Sequence, residues 1–210
     1  MPHTRIKVCG VTCLEDAESA VAAGVDALGF NFFPKSPRFV EPDIAAQIIR
    51  ALPPFVTTVG LFVNHDLDEA KRFIKASGVD VAQLHGDEAP DFGPQLAHPF
   101  IRVLRVSAVS EVSALEKNYP GARGFLADKR SGRAYGGTGE TIDWDEVAPA
   151  LVLAGGLDAG NVGEAIRRVR PYAVDVSSGV ESVPGRKDGA KMNDFVAAVR
   201  AADLDLPKPE

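Results

Sequence analysis

Apolar and polar positions along the chain follow two periods, and the two periods take turns. Short runs rich in β-branched, aromatic and other apolar residues lie at 5–9 (RIKVC), 27–32, 57–63, 81–85, 101–106, 124–128, 151–154 and 173–177. Between them fall segments whose apolar residues recur every three or four positions, at 14–23, 42–52, 67–76, 89–97, 111–118, 144–150, 162–170 and 190–202. The first pattern predicts buried or half-buried strands and the second predicts helices packed on one face. Local signals agree. Pro42 stands at the first position of its helix, where its missing N–H costs nothing. Thr12 and Glu15 have the spacing of a capping box, and Asp158 and Asn161 suit the start of the helix at 162–170.

Eight consecutive βα units predict a parallel sheet, and eight such units close naturally into a barrel. The alternative, an open doubly wound sheet, lacks support because no GxGxxG turn follows the first strand. The expected architecture is a single-domain (β/α)8 TIM barrel spanning 1–202. The segment 203–210 (DLDLPKPE), with two prolines, is expected to be a flexible tail.

Composition narrows the function. The chain has 210 residues, 45% of them hydrophobic and 25% charged, with 23 Lys and Arg against 29 Asp and Glu for a net charge of −6. This is ordinary globular usage. The acidic balance argues against nucleic acid, which needs a basic face. No apolar run is long enough to span a membrane, and the opening residues carry no hydrophobic signal core. The two cysteines, Cys9 and Cys13, make no disulfide scaffold, and Cys-x3-Cys is no recognised ligand spacing without partners. A cytoplasmic protein is expected.

In such barrels chemistry sits at the C-terminal ends of the strands. Side chains alternate along a strand, so Ile6 and Val8 share the helix-facing side while Lys7 and Cys9 point inward. The same parity delivers His85, Asp128, Asp175 and Ser177 to that rim, with apolar or small residues outward. Glycine-rich loops follow strands 7 and 8: Gly155 and Gly156 in LAGG, and Ser177, Ser178 and Gly179 in VSSG. Phosphate sites in these barrels commonly form there. A phosphorylated small molecule is therefore the expected ligand.

The motifs also occur in a telling order. KVCG (7–10), GFNFFPKSPR (29–38), VGLFVN (59–64) and QLHGDE (83–88) are followed by LAD (126–128), GGTG (136–139), LAGGL (153–157) and DVSSGVE (175–181). From about residue 5 to 200 the chain resembles the phosphoribosylanthranilate isomerase family of tryptophan biosynthesis. The resemblance implies an Amadori rearrangement that uses neither metal nor organic cofactor. It implies Cys9 as general base, Asp128 as general acid and Arg38 as the partner of the anthranilate carboxylate. Gly155, Gly156, Ser177, Ser178 and Gly179 are implied to hold the phosphate. Lys7, His85 and Asp175 are expected around the substrate, Lys7 also as the cation that favours a Cys9 thiolate. Asp128 must have its pKa raised, by partial burial or a neighbouring negative charge, to carry a proton at neutral pH. The chain departs from the family pattern at Ala127, before Asp128, and at Asn31 in the second strand.

Other readings carry less. The loop 129–141 is long, basic and glycine-rich, and is expected to act as a lid. His85 could equally satisfy a loop backbone group, and Cys13 reads as structural. His3, His65 and His98 stand in no constellation. Lys35 and Lys129 lie in loops rather than in a dry pocket suited to Schiff-base chemistry. A metal-dependent sugar-phosphate epimerase would need more ligands than His85, Asp128 and Asp175. A non-catalytic sugar-phosphate sensor would have no need of both Cys9 and Asp128. Monomer and homodimer are both open.

Overall fold

The computed structural model describes residues 3–108, 111–112, 116–129 and 151–206. The expected helix at 144–150 and most of the expected lid at 129–141 lie outside them. Eight parallel strands close into a barrel in sequential order: β1 (Arg5–Cys9), β2 (Ala27–Asn31), β3 (Thr57–Phe62), β4 (Val81–Leu84), β5 (Phe100–Val106), β6 (Phe125–Lys129), β7 (Leu151–Leu153) and β8 (Ala173–Val176). The register that closes the ring sets Lys7 against Asp175.

Alternation along each strand separates two environments. Ile6, Val8, Leu28, Phe30, Phe62, Leu84, Leu104, Val174 and Val176 are buried in the main core against the helices. These are α1 (Leu14–Ala23), α2 (Pro42–Ala51), α3 (Leu67–Ser77), α4 (Phe92–Leu96), α5 (Val162–Val169) and α6 (Gly189–Asp205). Inside the barrel Val103, Leu126 and Ala154 form a second, smaller apolar cluster. Most of the buried apolar side chains lie in this outer layer, where each Å² of apolar surface removed from water stabilises the fold by roughly 25 cal/mol. The interior positions at the strand tops are thereby left for polar groups.

The helix starts show where local chemistry decides. Asp66 and Asp188 accept backbone N–H groups in the first turns of α3 and α6. The capping box expected from Thr12 and Glu15 does not form. Cys13 is the N-cap of α1 and offers no side-chain cap, while the Thr12 hydroxyl donates to the Gly185 carbonyl at 2.7 Å. The tertiary acceptor wins over the local one. α4 is shorter than the pattern at 89–97 implies, because Pro94 has no N–H to donate and Gly93 lies directly against the Phe100 ring. Of the helix expected at 111–118, the described end is a single 3-10 turn, Glu116–Asn118.

Two features extend beyond expectation. After β8 and a 3-10 turn (Ser178–Val180) the chain forms an antiparallel hairpin, β9 (Glu181–Val183) and β10 (Arg186–Lys187). α6 also continues through Asp205, so Asp203 is helical rather than the first residue of a tail. Its carboxylate accepts from the Thr4 hydroxyl at 2.6 Å and the Thr4 N–H at 3.0 Å, which ties the last helix to the residue before β1. Among the described residues no helix is long and apolar enough to cross a membrane.

Candidate functional site

At the C-terminal end of the strands lies a cavity of about 470 Å³. Cys9, His85, Asp128, Asp175 and Ser177 line it from β1, β4, β6 and β8 or the residues just after them, and Gly155, Gly156 and Ser178 line it from the loops. Arg38 lines it from the β2–α2 loop. The sequence-predicted constellation is therefore brought together, with two exceptions.

Lys7 sits one inward position below Cys9, and its Nζ donates to Asp175 Oδ1 at 2.7 Å with both side chains nearly buried. Gly179 does not line the cavity. A side chain there would strike the Leu157 carbonyl, at 2.0 Å from an ideal Cβ. Its role is to let the β8 loop lie against the β7 loop.

Burial governs the Cys9 thiol. Cys9 is 7% exposed. Desolvation pushes its pKa up, and the pull of Lys7 and Lys187 does not overcome that, because Asp175 pushes the same way. The expected thiolate-favouring effect of Lys7 is thus real in sign but outweighed. Lys7 itself is disfavoured by burial, yet Asp175 and Cys9 hold its pKa above the usual lysine value. Burial raises the Asp175 carboxyl against the pull of Lys7, and Asp128 adds to the rise.

His85 stands beside the proposed acid. Its Nε2 lies 3.3 Å from Asp128 Oδ2, close but not aligned as a hydrogen bond. The Gln83 amide approaches Nδ1 at 3.3 Å. Gln83 is fully buried and lines the same cavity. It shares the parity of His85, two residues on, so the alternation that points to His85 points to it as well. Asn31 is another inward strand-top residue of this kind. Its Oδ1 accepts from the Phe33 N–H at 2.9 Å and its Nδ2 donates to the Ser36 hydroxyl at 3.1 Å. Ser36 in turn accepts from the Arg38 N–H at 3.1 Å. The polar residue in β2 folds the loop that presents Arg38.

Arg38 crosses the top of β1. Gly10 has φ +79°, and an added Cβ would meet the Arg38 Cδ at 2.5 Å, so the glycine of KVCG makes room for the arginine. The guanidinium is already engaged. Its Nε and Nη2 donate to the two oxygens of Glu181 at 2.8 and 2.7 Å, the planar fork geometry an arginine favours. Lys187 Nζ donates to Glu181 Oε1 at 2.8 Å. Neither Glu181 nor Lys187 is among the sequence-predicted site residues. The signal available was the Pro-Gly turn at 184–185 between ESV and RK, which marks a hairpin.

The loops after β7 and β8 are braced from within. The Ser177 hydroxyl donates to the Cys9 carbonyl at 3.0 Å, so its side chain joins β8 to β1 instead of being reserved for a phosphate. Asn161 Nδ2 donates to the Gly156 carbonyl at 2.8 Å, and Asp158 Oδ1 accepts from the Gly160 and Asn161 N–H groups. Both residues stand at the start of α5 as the sequence implies.

Comparison with known proteins places this arrangement. A family model described as N-(5'phosphoribosyl)anthranilate (PRA) isomerase matches residues 6–198. The N-(5'-phosphoribosyl)anthranilate isomerase of Dechloromonas aromatica is 48% identical over 207 residues, covering 97% of this chain and 99% of its own. A phosphoribosyl anthranilate isomerase solved in complex with reduced 1-(o-carboxyphenylamino)-1-deoxyribulose 5-phosphate is 36% identical. It superposes with a TM-score of 0.82 over 94% of this chain and 99% of its own. Monomers generated from the dimeric enzyme of Thermotoga maritima match with 36% identity and a TM-score of 0.81, again over 94% and 99%.

Proposed function

Because this chain belongs to the N-(5′-phosphoribosyl)anthranilate isomerase family, we infer that its cavity is built for the two proton transfers of an Amadori rearrangement. The enzyme converts N-(5′-phosphoribosyl)anthranilate to 1-(2-carboxyphenylamino)-1-deoxyribulose 5-phosphate in tryptophan biosynthesis. The observation that carries the residue assignment is that Cys9 and Asp128 face one cavity from β1 and β6, strands separated on both sides of the ring.

The chemistry divides between them. Opening the furanose ring requires a proton on the ring oxygen as the C1′–O bond breaks and the anilino nitrogen forms a Schiff base. Asp128 delivers that proton. The C2′ proton then leaves to Cys9, its C–H electrons moving to form the enolamine, which tautomerises to the ketone. A buried thiol with a raised pKa is mostly protonated at rest, but the same burial makes the thiolate, once formed, a stronger base toward carbon. Lys7 and Lys187 both draw it toward ionisation.

Binding groups surround the pair. Arg38 meets the anthranilate carboxylate. Asp175 and His85 border the sugar. Gly155, Gly156 and Ser178, with the backbone at Ser177, form the phosphate end, where main-chain N–H groups suit an anion, and Gly179 serves it by letting the two loops pack together. The reaction as assigned needs neither metal nor organic cofactor. We place the enzyme in the cytoplasm, as a monomer or homodimer; size-exclusion chromatography with light scattering separates the two. The test of the site is steady-state turnover of Cys9→Ala and Asp128→Asn, each expected to lose kcat while still binding the reduced product analogue.

A further inference from the structure

The hairpin β9–β10 lies beyond the last barrel strand, and neither proton transfer uses it. Its Glu181 side chain nevertheless grips Arg38, a residue of the cavity wall, and Lys187 grips Glu181 in turn. Glu181 is 6% exposed and accepts from Arg38 Nε and Nη2, from Lys187 Nζ and, at 3.3 Å, from the Gly185 N–H. The Lys187 side chain is fully buried, and its ammonium also donates to the Ser177 carbonyl at 3.3 Å. The hairpin is fastened on three sides. The Lys187 N–H donates to Asp16 Oδ2 at 2.8 Å, Thr12 holds the Gly185 carbonyl, and Lys191 Nζ donates to the Glu181 carbonyl at 2.7 Å.

Desolvating charges is costly, and buried ion clusters are a poor general means of stabilisation. This one sits where orientation matters. Arg38 and Lys187 are cationic and Glu181 is anionic, so the three side chains together carry a surplus positive charge at the cavity wall. A lone Arg38–Glu181 pair would be neutral and would exert little pull on an arriving anion. Glu181 occupies one edge of the guanidinium, and among the described residues nothing accepts from Nη1.

We propose that Glu181 is a positioning residue for Arg38. It grips the Nε–Nη2 edge and leaves the remaining N–H groups to the aromatic carboxylate of the substrate, while Lys187 keeps the cluster positive. The proposal rests on the reading that Arg38 binds that carboxylate. Its physical content is preorganisation. A long side chain fixed before binding loses less rotamer freedom when the ligand arrives. The benefit belongs to recognition of the carboxylate and not to the proton transfers, so it should appear in KM and not in kcat.

The experiment measures KM and kcat for Glu181→Gln and Glu181→Asp. It also measures calorimetric affinities for two ligands, the reduced product analogue and its phenylamino counterpart lacking the ring carboxylate. Glu181→Gln should raise KM and weaken the carboxylate-bearing ligand by about tenfold, with kcat and the phenylamino ligand changed by less than about threefold. Glu181→Asp, which keeps the charge but withdraws it by one methylene, should show the same selective loss to a smaller degree and serves if the glutamine variant does not fold. Adding Glu181→Gln to Arg38→Ala should cost no more than about twofold beyond Arg38→Ala alone. Equal losses on both ligands, or effects that multiply in the double variant, would overturn the positioning role while leaving Arg38 as the carboxylate's partner. Wild-type preference for the carboxylate in Arg38→Ala would instead remove the Arg38 reading, and the Glu181 role with it.

Discussion

Lys7 Nζ and Asp175 Oδ1 lie 2.7 Å apart across the seam where β8 meets β1, at positions paired by the strand register itself. The barrel's closure and its interior charge pair are thus one geometric fact. Removing one member leaves the other buried without its partner, a loss that typically costs ~3–5 kcal/mol. Lys7→Met should therefore lower the thermal midpoint sharply, and Lys7→Met combined with Asp175→Leu should recover much of the loss. Thermal unfolding followed by circular dichroism reads both. Equal stability of Lys7→Met and the wild type would show that the pair carries no such weight.

The Cys9 thiol gives a pH prediction with a definite sign. Its pKa is raised by burial, so the thiolate forms only above the ordinary thiol range. In a Cys13→Ser background, the rate of Cys9 alkylation by iodoacetamide should keep rising past pH 9, and the alkaline rise in kcat/KM should follow it. Alkylation that levels off below the usual cysteine value would mean that Lys7 and Lys187 prevail over desolvation.

Gly10 links the first strand to the arginine. With φ +79° and the Arg38 Cδ 2.5 Å from a hypothetical Cβ, Gly10→Ala both strains the backbone and displaces the side chain above it. Backbone strain alone predicts a loss of about 1–2 kcal/mol, and displacement of Arg38 predicts a raised KM. Denaturant titration and steady-state kinetics on the same preparation test the two parts separately.

Much of this molecule is legible in its sequence because alternation in a parallel barrel is strict. Ile6 and Val8 face helices, so Lys7 and Cys9 must face in, and the same step finds His85, Asp128 and Asp175. Gln83 and Asn31 obey that rule too, but a lone amide suggests no chemistry by itself. Local rules fail where a distant partner competes. Thr12 has the spacing of a capping residue, yet the Gly185 carbonyl, 173 residues away, takes its hydroxyl. Glu181 and Lys187 lie beyond the eighth strand, and nothing in their spacing reveals that Glu181 reaches back to Arg38 and Lys187 to Glu181. Asp203 belongs to a tail by composition and to the fold by its bonds to Thr4.

That last contact predicts the limit of truncation. Ending the chain after residue 202 removes the acceptor of the Thr4 hydroxyl and N–H, a loss of about 1–3 kcal/mol by the cost of unpaired polar groups. Asp203→Ala should reproduce most of that loss in a thermal melt. No change in either variant would return residues 203–205 to the status of a dispensable end.

We propose Cys9 and Asp128, facing one cavity from β1 and β6, as the carriers of the two proton transfers. The direct measurement is the fluorescence decay of N-(5′-phosphoribosyl)anthranilate with the wild type, Cys9→Ala and Asp128→Asn, alongside calorimetric binding of the reduced product analogue. The wild type should consume the substrate. Each variant should lose about 10²–10⁴-fold in kcat, as expected for a positioned acid or base, while binding the analogue with near-wild-type affinity. Near-wild-type turnover in either variant, or none in the wild type, would overturn the assignment of these two residues.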